Sequence, residues 1–540
     1  MGKRTITRKQ TLVILAIIVA LQCGAMFYWG GQKSSYYLDE LFTFEYVQNI
    51  SNETDSKEYM NDNPSWRDEE WLSVGELKKR YIVEEGESVF DLPFSTSVKK
   101  LFFDKNYMWI INALETAFGN GSPPKWICIC FNVFVWFIFQ FLLFFFFDSC
   151  LKFDRRTSML AVTMWGFCPL VMGLSAFCRF YSWTLLLFLI LIVSHRKMWD
   201  CDSNGKFIGY EVIALFVTWL AFKNSDLIFV LCGALAFLFT LGLIIRKKYI
   251  QAVCYSVPFI FGGLFLAWKK TSLLNVIFHP ILYATYRHGV TARMADFFLN
   301  ASWQEKMYSF AHSVKSFAES VMGSVEFALL AILLLLALYW TVRKTIRHRI
   351  DGYALILLGV SFVFWIFCGL CGLNETRYYS FFFLLLFIVG WMLFDTFAAG
   401  HHASEMVFKV ALCIVLAGAV IPFYRRNVQY IYESLKPSIE KISENGDLKS
   451  IVNYDPVHNF NAYYSTTLLN ESASIYPVRE YLSTRTLPEL PDRFLYWSTY
   501  YWSPEEVMEL IKEEGYTADL LFEAGLSMVY LCQKDEGVED

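Results

Sequence analysis

Charged residues are scarce in this chain. They make up 18% of its 540 residues, whereas a soluble protein carries roughly a quarter. The net charge of −4 gives no global basic field of the kind that binds nucleic acid. Hydrophobic residues reach 55% and collect in blocks of about 17–25 residues, the length that crosses a hydrocarbon core of about 30 Å. The sequence therefore predicts a polytopic α-helical membrane protein.

Cysteine is absent from the two long polar loops at 31–123 and 269–324, so we expect no disulfide framework there. Histidine is also sparse, and its eight positions show no ligand spacing such as H-x-x-x-H. Nothing in the spacing therefore demands a metal or another cofactor. A hard divalent cation such as Mg or Mn, held by acidic residues of the first loop, remains an alternative.

Hydropathy and length predict about eleven membrane spans, with ten or twelve as alternatives because short stretches such as 181–195 could be half-spans. The first block follows four basic residues but is long for a signal core and has no small-x-small cleavage site, which favours a retained span. The spans lie near 11–30, 124–148, 157–176, 181–195, 207–222, 226–245, 250–268, 325–342, 352–371, 378–398 and 406–423.

Lysine and arginine collect in alternate turns between these spans, which predicts a cytoplasmic N-terminus. The basic turns are at 152–156, 196–197, 246–248 and 343–349. With an odd number of spans, the two long loops and everything after about residue 424 lie outside the cytoplasm. The expected organisation is a transmembrane catalytic domain over 1–423 and an extracytoplasmic α/β domain over 424–540.

The segment after residue 424 carries the signals of a small α/β domain. Ser503-Pro504-Glu505-Glu506 is typical of a helix start, and Gly515 is a natural helix end. Three short β-like runs flank this helix, at 493–499, 519–523 and 528–532.

In the first outer loop, the pair Asp39-Glu40 and the single residue Asp104 are the acidic candidates for catalysis. Asp39 and Glu40 stand among aromatic residues directly after the first span, in Tyr-Tyr-Leu-Asp-Glu-Leu-Phe. A partly desolvated carboxylate there could act as a general base, although the pair could also merely mark the exit into water. Asp104 precedes an amphipathic stretch that we expect to lie along the membrane surface, where it could also serve as a helix N-cap.

Three arginines on the predicted outer side, Arg179, Arg287 and Arg377, stand beside aromatic or histidine side chains. Guanidinium groups at one membrane face suit a lipid-linked phosphate, which they can grip with two hydrogen bonds. Taken singly, each arginine is as well explained as an interfacial anchor or ion-pair partner. The candidate phosphate-binding residues are Arg179, Tyr181, Arg287, His288, Arg377 and Tyr378.

This order of motifs resembles that of the C-type membrane glycosyltransferases, which include the protein O-mannosyltransferases and the aminoarabinose transferases. Members of this superfamily have many spans and an acidic pair in the first outer loop, which Asp39-Glu40 resembles in position and context. Arg179-Phe180-Tyr181 is similar to the family's Arg-x-Tyr, and later Tyr-Arg-Gly and Arg-Tyr motifs have counterparts at Tyr286–Gly289 and Arg377-Tyr378.

Two positions depart from the family pattern. Where relatives often have Asp-x-His-Pro-Pro, this chain continues from Asp104 with Lys105-Asn106-Tyr107. Where relatives often have His-Tyr in a mid-chain outer turn, this chain has Lys223-Asn224-Ser225-Asp226.

The resemblance implies transfer of a sugar from a polyprenyl-phosphate donor to a protein, lipid or glycan acceptor at the outer membrane face, with inversion. In that reaction Asp39 would be the base, while Glu40 or Asp104 would orient the acceptor or help hold a metal. The arginines would stabilise the charge of the departing phosphate. The alternatives are a lipid-linked oligosaccharide transporter or flippase, a polysaccharide polymerase or ligase, and a membrane-anchored binding protein.

Overall fold

The computed structural model describes most of the chain. It covers residues 7–48, 50, 69–84, 86–103, 105–119, 123–225, 227–269, 296–317, 351–373, 375–398, 428–454, 460–479, 487–499, 505–524 and 527–535. The spans predicted at 325–342 and 406–423 lie outside these ranges, as does the predicted helix N-cap Ser503.

The first half of the described chain is helical apart from one two-residue strand. Its elements are α1 (Arg8–Gln32), α2 (Leu38–Gln48), β1 (Leu72–Ser73), α3 (Val74–Lys78), α4 (Phe94–Phe103), α5 (Asn106–Phe118), α6 (Lys125–Phe145, continued by a π-helical turn to Cys150), α7 (Arg155–Gly166), α8 (Pro169–Ala176), α9 (Tyr181–Trp199), α10 (Asn204–Asn224), α11 (Leu227–Ile245) and α12 (Tyr249–Lys269).

The second half adds three long helices and then a mixed α/β region. Its elements are α13 (Trp303–Phe317), α14 (Gly352–Leu370), α15 (Thr376–Ala398), α16 (Lys436–Glu444), β2 (Ser450–Tyr454), α17 (Phe460–Leu468), β3 (Ser474–Arg479), β4 (Arg493–Thr499), α18 (Glu505–Glu513), β5 (Tyr516–Ala524) and β6 (Ser527–Lys534).

Six of the described helices are long and apolar enough to cross a membrane: α1, α6, α10, α11, α14 and α15. The pair α7 and α8, bent by 52°, passes the same test when taken as one span. Pro169 explains the break, because proline is suited to the first turn of a new helix but not to a helix interior. The chain is a polytopic α-helical membrane protein, as its hydrophobic blocks predicted.

The described chain divides into two compact units. Unit 1 consists of Met1–Gly30, Phe102–Tyr107 and Ile129–Gln429, and contains most of the apolar helices. Unit 2 consists of Gly31–Leu101, Met108–Cys128 and Tyr430–Asp540. It therefore combines parts of the first loop with the C-terminal segment.

Unit 2 is built on a six-stranded mixed sheet with the order β1-β3-β2-β4-β6-β5. Strand β2 runs parallel to β3 and β4, while β1, β5 and β6 pair antiparallel with their neighbours. One face of the sheet packs against Ile442 of α16, and the other against Val507 and Ile511 of α18. The strands predicted near 493–499, 519–523 and 528–532 are confirmed as β4, β5 and β6. Gly515, two residues after the end of α18, has a φ of +82°, in agreement with its predicted role as a helix end.

Candidate active site

Helix α2 begins at the predicted acidic pair. The Glu40 carboxylate accepts a hydrogen bond from the Tyr37 N–H (2.7 Å), and the Glu40 N–H donates to the Tyr37 carbonyl (2.8 Å). This reciprocal arrangement resembles a capping box, which satisfies N–H groups that a helix start leaves without partners. Asp39 lies in the same first turn, where the helix dipole favours negative charge.

Lys33 holds the Glu40 carboxylate from the other side. Its ammonium lies 2.9 Å from Glu40 Oε2, and neither side chain is exposed to solvent. The ammonium also donates to the Tyr430 carbonyl (2.7 Å) and lies 5.3 Å from the centre of the Tyr432 ring. A buried cation is costly unless it is paired and hydrogen-bonded, and Lys33 has both forms of compensation.

The segment that receives Lys33 has an unusual backbone. Tyr430 and Tyr432 have φ angles of 65° and 58°, in the left-handed region that bulky residues rarely occupy. Ser34 ties this segment down, because its N–H donates to the Ile431 carbonyl (3.0 Å) and its hydroxyl to the Tyr432 carbonyl (2.5 Å). Such strain persists only where surrounding contacts impose it, and it often occurs at functional sites.

Two phenols share the surroundings of Glu40. Burial raises the pKa of Tyr432 and of Tyr464, and the negative charge of Glu40 raises both further. Both therefore remain protonated donors over the physiological range. The Tyr464 hydroxyl donates to the Tyr36 carbonyl (2.9 Å), which anchors the residues that precede α2.

The two carboxylates of the predicted pair thus have different environments. Glu40 is completely buried and engaged by Lys33 and Tyr37, whereas the neighbouring Asp39 is partly exposed. A substrate can approach Asp39 more readily than Glu40. Sequence reasoning missed Lys33, although a signal was available: it is a basic residue directly after the first span, seven positions before Glu40.

In unit 1, Arg377 lies among aromatic rings at the start of α15. Its guanidinium is 4.9 Å from the ring centre of Tyr378 and 5.7 Å from that of Phe177. It donates a hydrogen bond to the Tyr378 hydroxyl (3.1 Å) and pairs with Glu375 at 2.8 Å. Only 3% of Arg377 is exposed, so its cation is largely desolvated and well suited to a strong interaction with an anion.

Arg179 belongs to the same aromatic cluster. Its guanidinium lies 5.1 Å from the ring centre of Phe180, which stacks on Tyr181 at 4.8 Å. The Tyr181 ring meets that of Tyr378 edge to face at 6.4 Å. The structure therefore joins four of the predicted phosphate-binding residues, from two segments about 200 positions apart, through one set of ring contacts.

The two positions that depart from the family motifs meet in unit 1. Asn106 accepts hydrogen bonds from Asn224 (2.7 Å) and from the Trp183 indole (2.8 Å) and donates to the Leu220 carbonyl (2.9 Å). Asn224 in turn accepts from the Tyr107 N–H (3.1 Å). Sequence reasoning noted both departures separately, but nothing in the sequence indicated that they are in contact.

Three predicted site residues, Asp104, Arg287 and His288, lie outside the described residues. Among the residues that the structure does describe, no group of three histidine, cysteine, aspartate or glutamate side chains is arranged to hold a metal ion. The described residues therefore provide no set of three protein ligands for a divalent cation.

No protein-family model matches the sequence, and no curated protein does either. Among solved structures, the chain is similar to ArnT from Cupriavidus metallidurans in the apo state, with 11% identity and a TM-score of 0.50, over 96% of this chain and 98% of that one. ArnT from the same organism bound to undecaprenyl phosphate gives 11% identity and a TM-score of 0.48, over 96% and 97% of the two chains.

The likeness to apo ArnT covers nearly the whole chain and shows the fold. The chain has an ArnT-like polytopic membrane fold, which confirms at the level of architecture the resemblance drawn from its motifs.

Proposed function

We propose that this chain is a membrane glycosyltransferase that moves a sugar from a polyprenyl-phosphate donor to an acceptor, with inversion at the anomeric carbon. The observation that carries the proposal is the convergence of Arg179, Tyr181, Arg377 and Tyr378 in one aromatic cluster. The ArnT-like fold supports it, and ArnT itself has been crystallised with undecaprenyl phosphate.

The arginine–aromatic cluster suits the phosphate of such a donor. The guanidinium groups of Arg179 and Arg377 can donate to phosphate oxygens, and the buried setting of Arg377 strengthens each of these bonds. Their task is to stabilise the negative charge that grows on the phosphate as the sugar leaves. The aromatic rings hold the guanidinium groups in place and exclude water from them.

Asp39 is the proposed base. Its carboxylate takes the proton from an acceptor hydroxyl or amine, whose oxygen or nitrogen then attacks the anomeric carbon. The bond from that carbon to the phosphate oxygen breaks, and polyprenyl phosphate departs with the electron pair. Because attack comes from the face opposite to the leaving group, the configuration inverts.

In this scheme Glu40 is a positioning residue that fixes the start of α2. Its contacts with Lys33 and Tyr37 hold the first turn that carries Asp39. The resemblance implies that Asp104 orients the acceptor or helps to hold a divalent cation such as Mg or Mn. It also implies that Arg287 and His288 help to bind the donor.

The test is sugar transfer by the purified full-length protein reconstituted in lipid, supplied with polyprenyl-phosphate sugars and a panel of hydroxyl and amine acceptors. Asp39→Asn should reduce the transfer rate by at least about a hundredfold, the usual worth of a general base. Glu76→Gln is the matched control, since Glu76 is exposed and pairs only with the exposed Lys79 among the described ion pairs.

Each outcome has a definite meaning. Donor consumption that collapses in Asp39→Asn but persists in Glu76→Gln supports both the reaction and the base. Equal rates in wild type and Asp39→Asn would remove Asp39 from catalysis. No turnover of any donor would contradict the transferase.

Transport of a lipid-linked saccharide is the second candidate, and one observation favours it. Glu211 lies within the candidate span α10, is only 4% exposed, and its Oε1 has no hydrogen-bond partner among the described residues. Intramembrane carboxylates often mark transport paths. Movement of a fluorescent polyprenyl-phosphate sugar between vesicle leaflets, abolished by Glu211→Gln and unaffected by Asp39→Asn, would favour transport over transfer.

A further inference from the structure

Unit 2 contains a pocket of about 360 Å³ beside the C-terminal half of α5. Its wall is formed by residues 82–84 and 86–91 and by the C-terminal end of that helix with the residue that follows it. The lining residues are Ile82, Val83, Glu84, Gly86, Ser88, Phe90, Asp91, Glu115, Thr116 and Gly119.

The charge of this pocket is negative. Glu84, Asp91 and Glu115 line it, and its described lining includes no lysine or arginine. Glu115 is only 4% exposed, and its Oε2 has no hydrogen-bond partner among the described residues. A buried carboxylate oxygen without a donor is costly, so its retention in a pocket wall points to a ligand that supplies the donor.

The pocket wall is held in place by hydrogen bonds. Asn112 accepts from the Val89 N–H (2.8 Å) and donates to the carbonyls of Val47 (2.9 Å) and Glu87 (3.2 Å). The hydroxyl of Thr116 donates to that of Ser88 (2.9 Å). These bonds fasten residues 87–89 to α5, so this part of the pocket wall is held in place without a ligand.

Gly119 leaves room for the Glu115 carboxylate. A Cβ atom at position 119 would lie 2.7 Å from Glu115 Oε1 and 2.4 Å from its backbone carbonyl oxygen. Any side chain there would displace the carboxylate from its place in the wall.

The lining chemistry suits an organic cation better than a metal ion. No three carboxylates among the described residues are arranged to hold a metal. Phe90, by contrast, is 62% exposed at the pocket, and its ring packs edge to face against Trp109 at 6.4 Å. An aromatic face together with carboxylates is the usual setting for an alkylammonium group.

We propose that this pocket binds a primary ammonium group carried on an alkyl chain, with Glu115 as its hydrogen-bond acceptor and with Asp91 and Glu84 adding negative charge to the pocket lining. Phe90 covers the adjoining methylene groups. The site is separate from Asp39. Gln48, at the far end of α2, donates to Glu87 beside the pocket (2.6 Å), and the 11 residues of α2 rise about 16 Å from end to end.

The experiment is calorimetric titration of the full-length protein in detergent with 1,5-diaminopentane at a fixed salt concentration. 1,5-Pentanediol is the neutral comparison, because it has the same chain length without charge. The diamine should bind saturably and the diol should not. Glu115→Gln should weaken diamine binding by at least about tenfold, which corresponds to the loss of a charge-assisted hydrogen bond.

Two further variants guard against misfolding and non-specific charge effects. Glu84→Gln alters an exposed side chain that lines the pocket and should weaken binding less than Glu115→Gln does. Glu76→Gln removes an exposed carboxylate that does not line the pocket and should leave the affinity unchanged.

Three results would overturn the proposal. They are the absence of saturable diamine binding to wild type, equal affinities of wild type and Glu115→Gln, and Glu115-dependent binding of Ca²⁺ or Mg²⁺ without any diamine binding. None of these depends on sugar transfer, so this proposal and the transferase can fail independently.

Discussion

The ammonium of Lys33 and the carboxylate of Glu40 form an ion pair of 2.9 Å from which solvent is completely excluded. Lys33 follows the first span directly, and Glu40 lies in the first turn of α2 beside Asp39. The same ammonium donates to the carbonyl of Tyr430, about 400 residues further along the chain. The pair therefore links the proposed catalytic turn to the C-terminal segment of the same unit.

Replacing Lys33 should destabilise the protein strongly. Lys33→Met leaves Glu40 as an uncompensated buried charge, which costs about 3–5 kcal/mol. The double variant Lys33→Met/Glu40→Gln should recover a large part of this loss, because no buried charge then remains. Thermal unfolding of the full-length protein in detergent measures the loss of stability in the single variant and its recovery in the double variant.

Lys79→Met is the control for the loss of one lysine. Lys79 is 52% exposed in its pair with Glu76, so its replacement should cost less than about 1 kcal/mol. Equal destabilisation by Lys33→Met and Lys79→Met would show that the buried ion pair contributes no more to the free energy of unfolding than the exposed pair does.

Arg377→Lys should impair use of the lipid-phosphate donor. Lysine keeps the charge but loses the planar fork that can grip a phosphate with two hydrogen bonds. We expect the KM for the donor to rise by about tenfold or more, the worth of one charge-assisted hydrogen bond. Steady-state kinetics at varied donor concentration measure this change.

Arg155→Lys is the comparison, because Arg155 is 41% exposed, lies 3.7 Å from Asp148 and belongs to the turn at 152–156 that the sequence predicts on the cytoplasmic side. An unchanged donor KM in Arg377→Lys, with full sugar transfer, would exclude Arg377 from phosphate binding.

Glu115 should make stability depend on pH between about 4.5 and about 7. Burial raises the pKa of Glu115 from the ordinary 4.5 to about 7. Below pH 4.5 the carboxyl is protonated in both the folded and the unfolded state, and its contribution is fully present. As the pH rises towards 7, the unfolded state releases this proton first, so the folded state loses stability.

Unfolding midpoints of wild type and Glu115→Gln, measured across this range, test the effect. Burial also raises the pKa of Glu87, so the informative quantity is the difference between the two proteins. That difference should shift in favour of Glu115→Gln as the pH rises. Parallel pH profiles would contradict the prediction.

Gly166→Ala should disturb the packing of α7 against α1. A Cβ atom at position 166 would lie 2.2 Å from the side-chain amide of Gln22, which is completely buried and donates to the Val162 carbonyl (3.1 Å). Moving this amide breaks a buried hydrogen bond, so we expect a loss of about 1–3 kcal/mol.

Gly24→Ala provides a matched control on α1, since nothing lies within 4 Å of a Cβ atom there. It should be neutral or slightly stabilising, because alanine favours helix. The double variant Gln22→Ala/Gly166→Ala should be less destabilised than the sum of the two single variants. Strict additivity, measured by thermal unfolding, would rule out this contact as the cause.

Local signals were sufficient for several features of the site. Arginines beside aromatic residues in the predicted outer turns indicate a shared site, and Arg179, Tyr181, Arg377 and Tyr378 do come together. Lys33 was missed because its importance comes from burial, and a single lysine after a span looks like an ordinary interfacial residue.

Other features depend on contacts that no local pattern encodes. Strand β1 has only two residues, Leu72 and Ser73, and is defined by its pairing with Ile475 and Ser474. The hydrogen bond between Asn106 and Asn224 likewise joins two separate departures from the family motifs.

By itself, the sequence determined the membrane-spanning class of the protein, most of the described helices and three of the five described strands after residue 424, β4, β5 and β6. Each of these rests on hydropathy, periodicity or capping, which are properties of residues close together in the chain. The tertiary structure decided that Glu40 is buried against Lys33 while Asp39 is partly exposed, and that Glu115 has an oxygen without a hydrogen-bond partner among the described residues. Burial and pairing of a charge depend on residues that are distant in the chain, and only the folded arrangement brings these together.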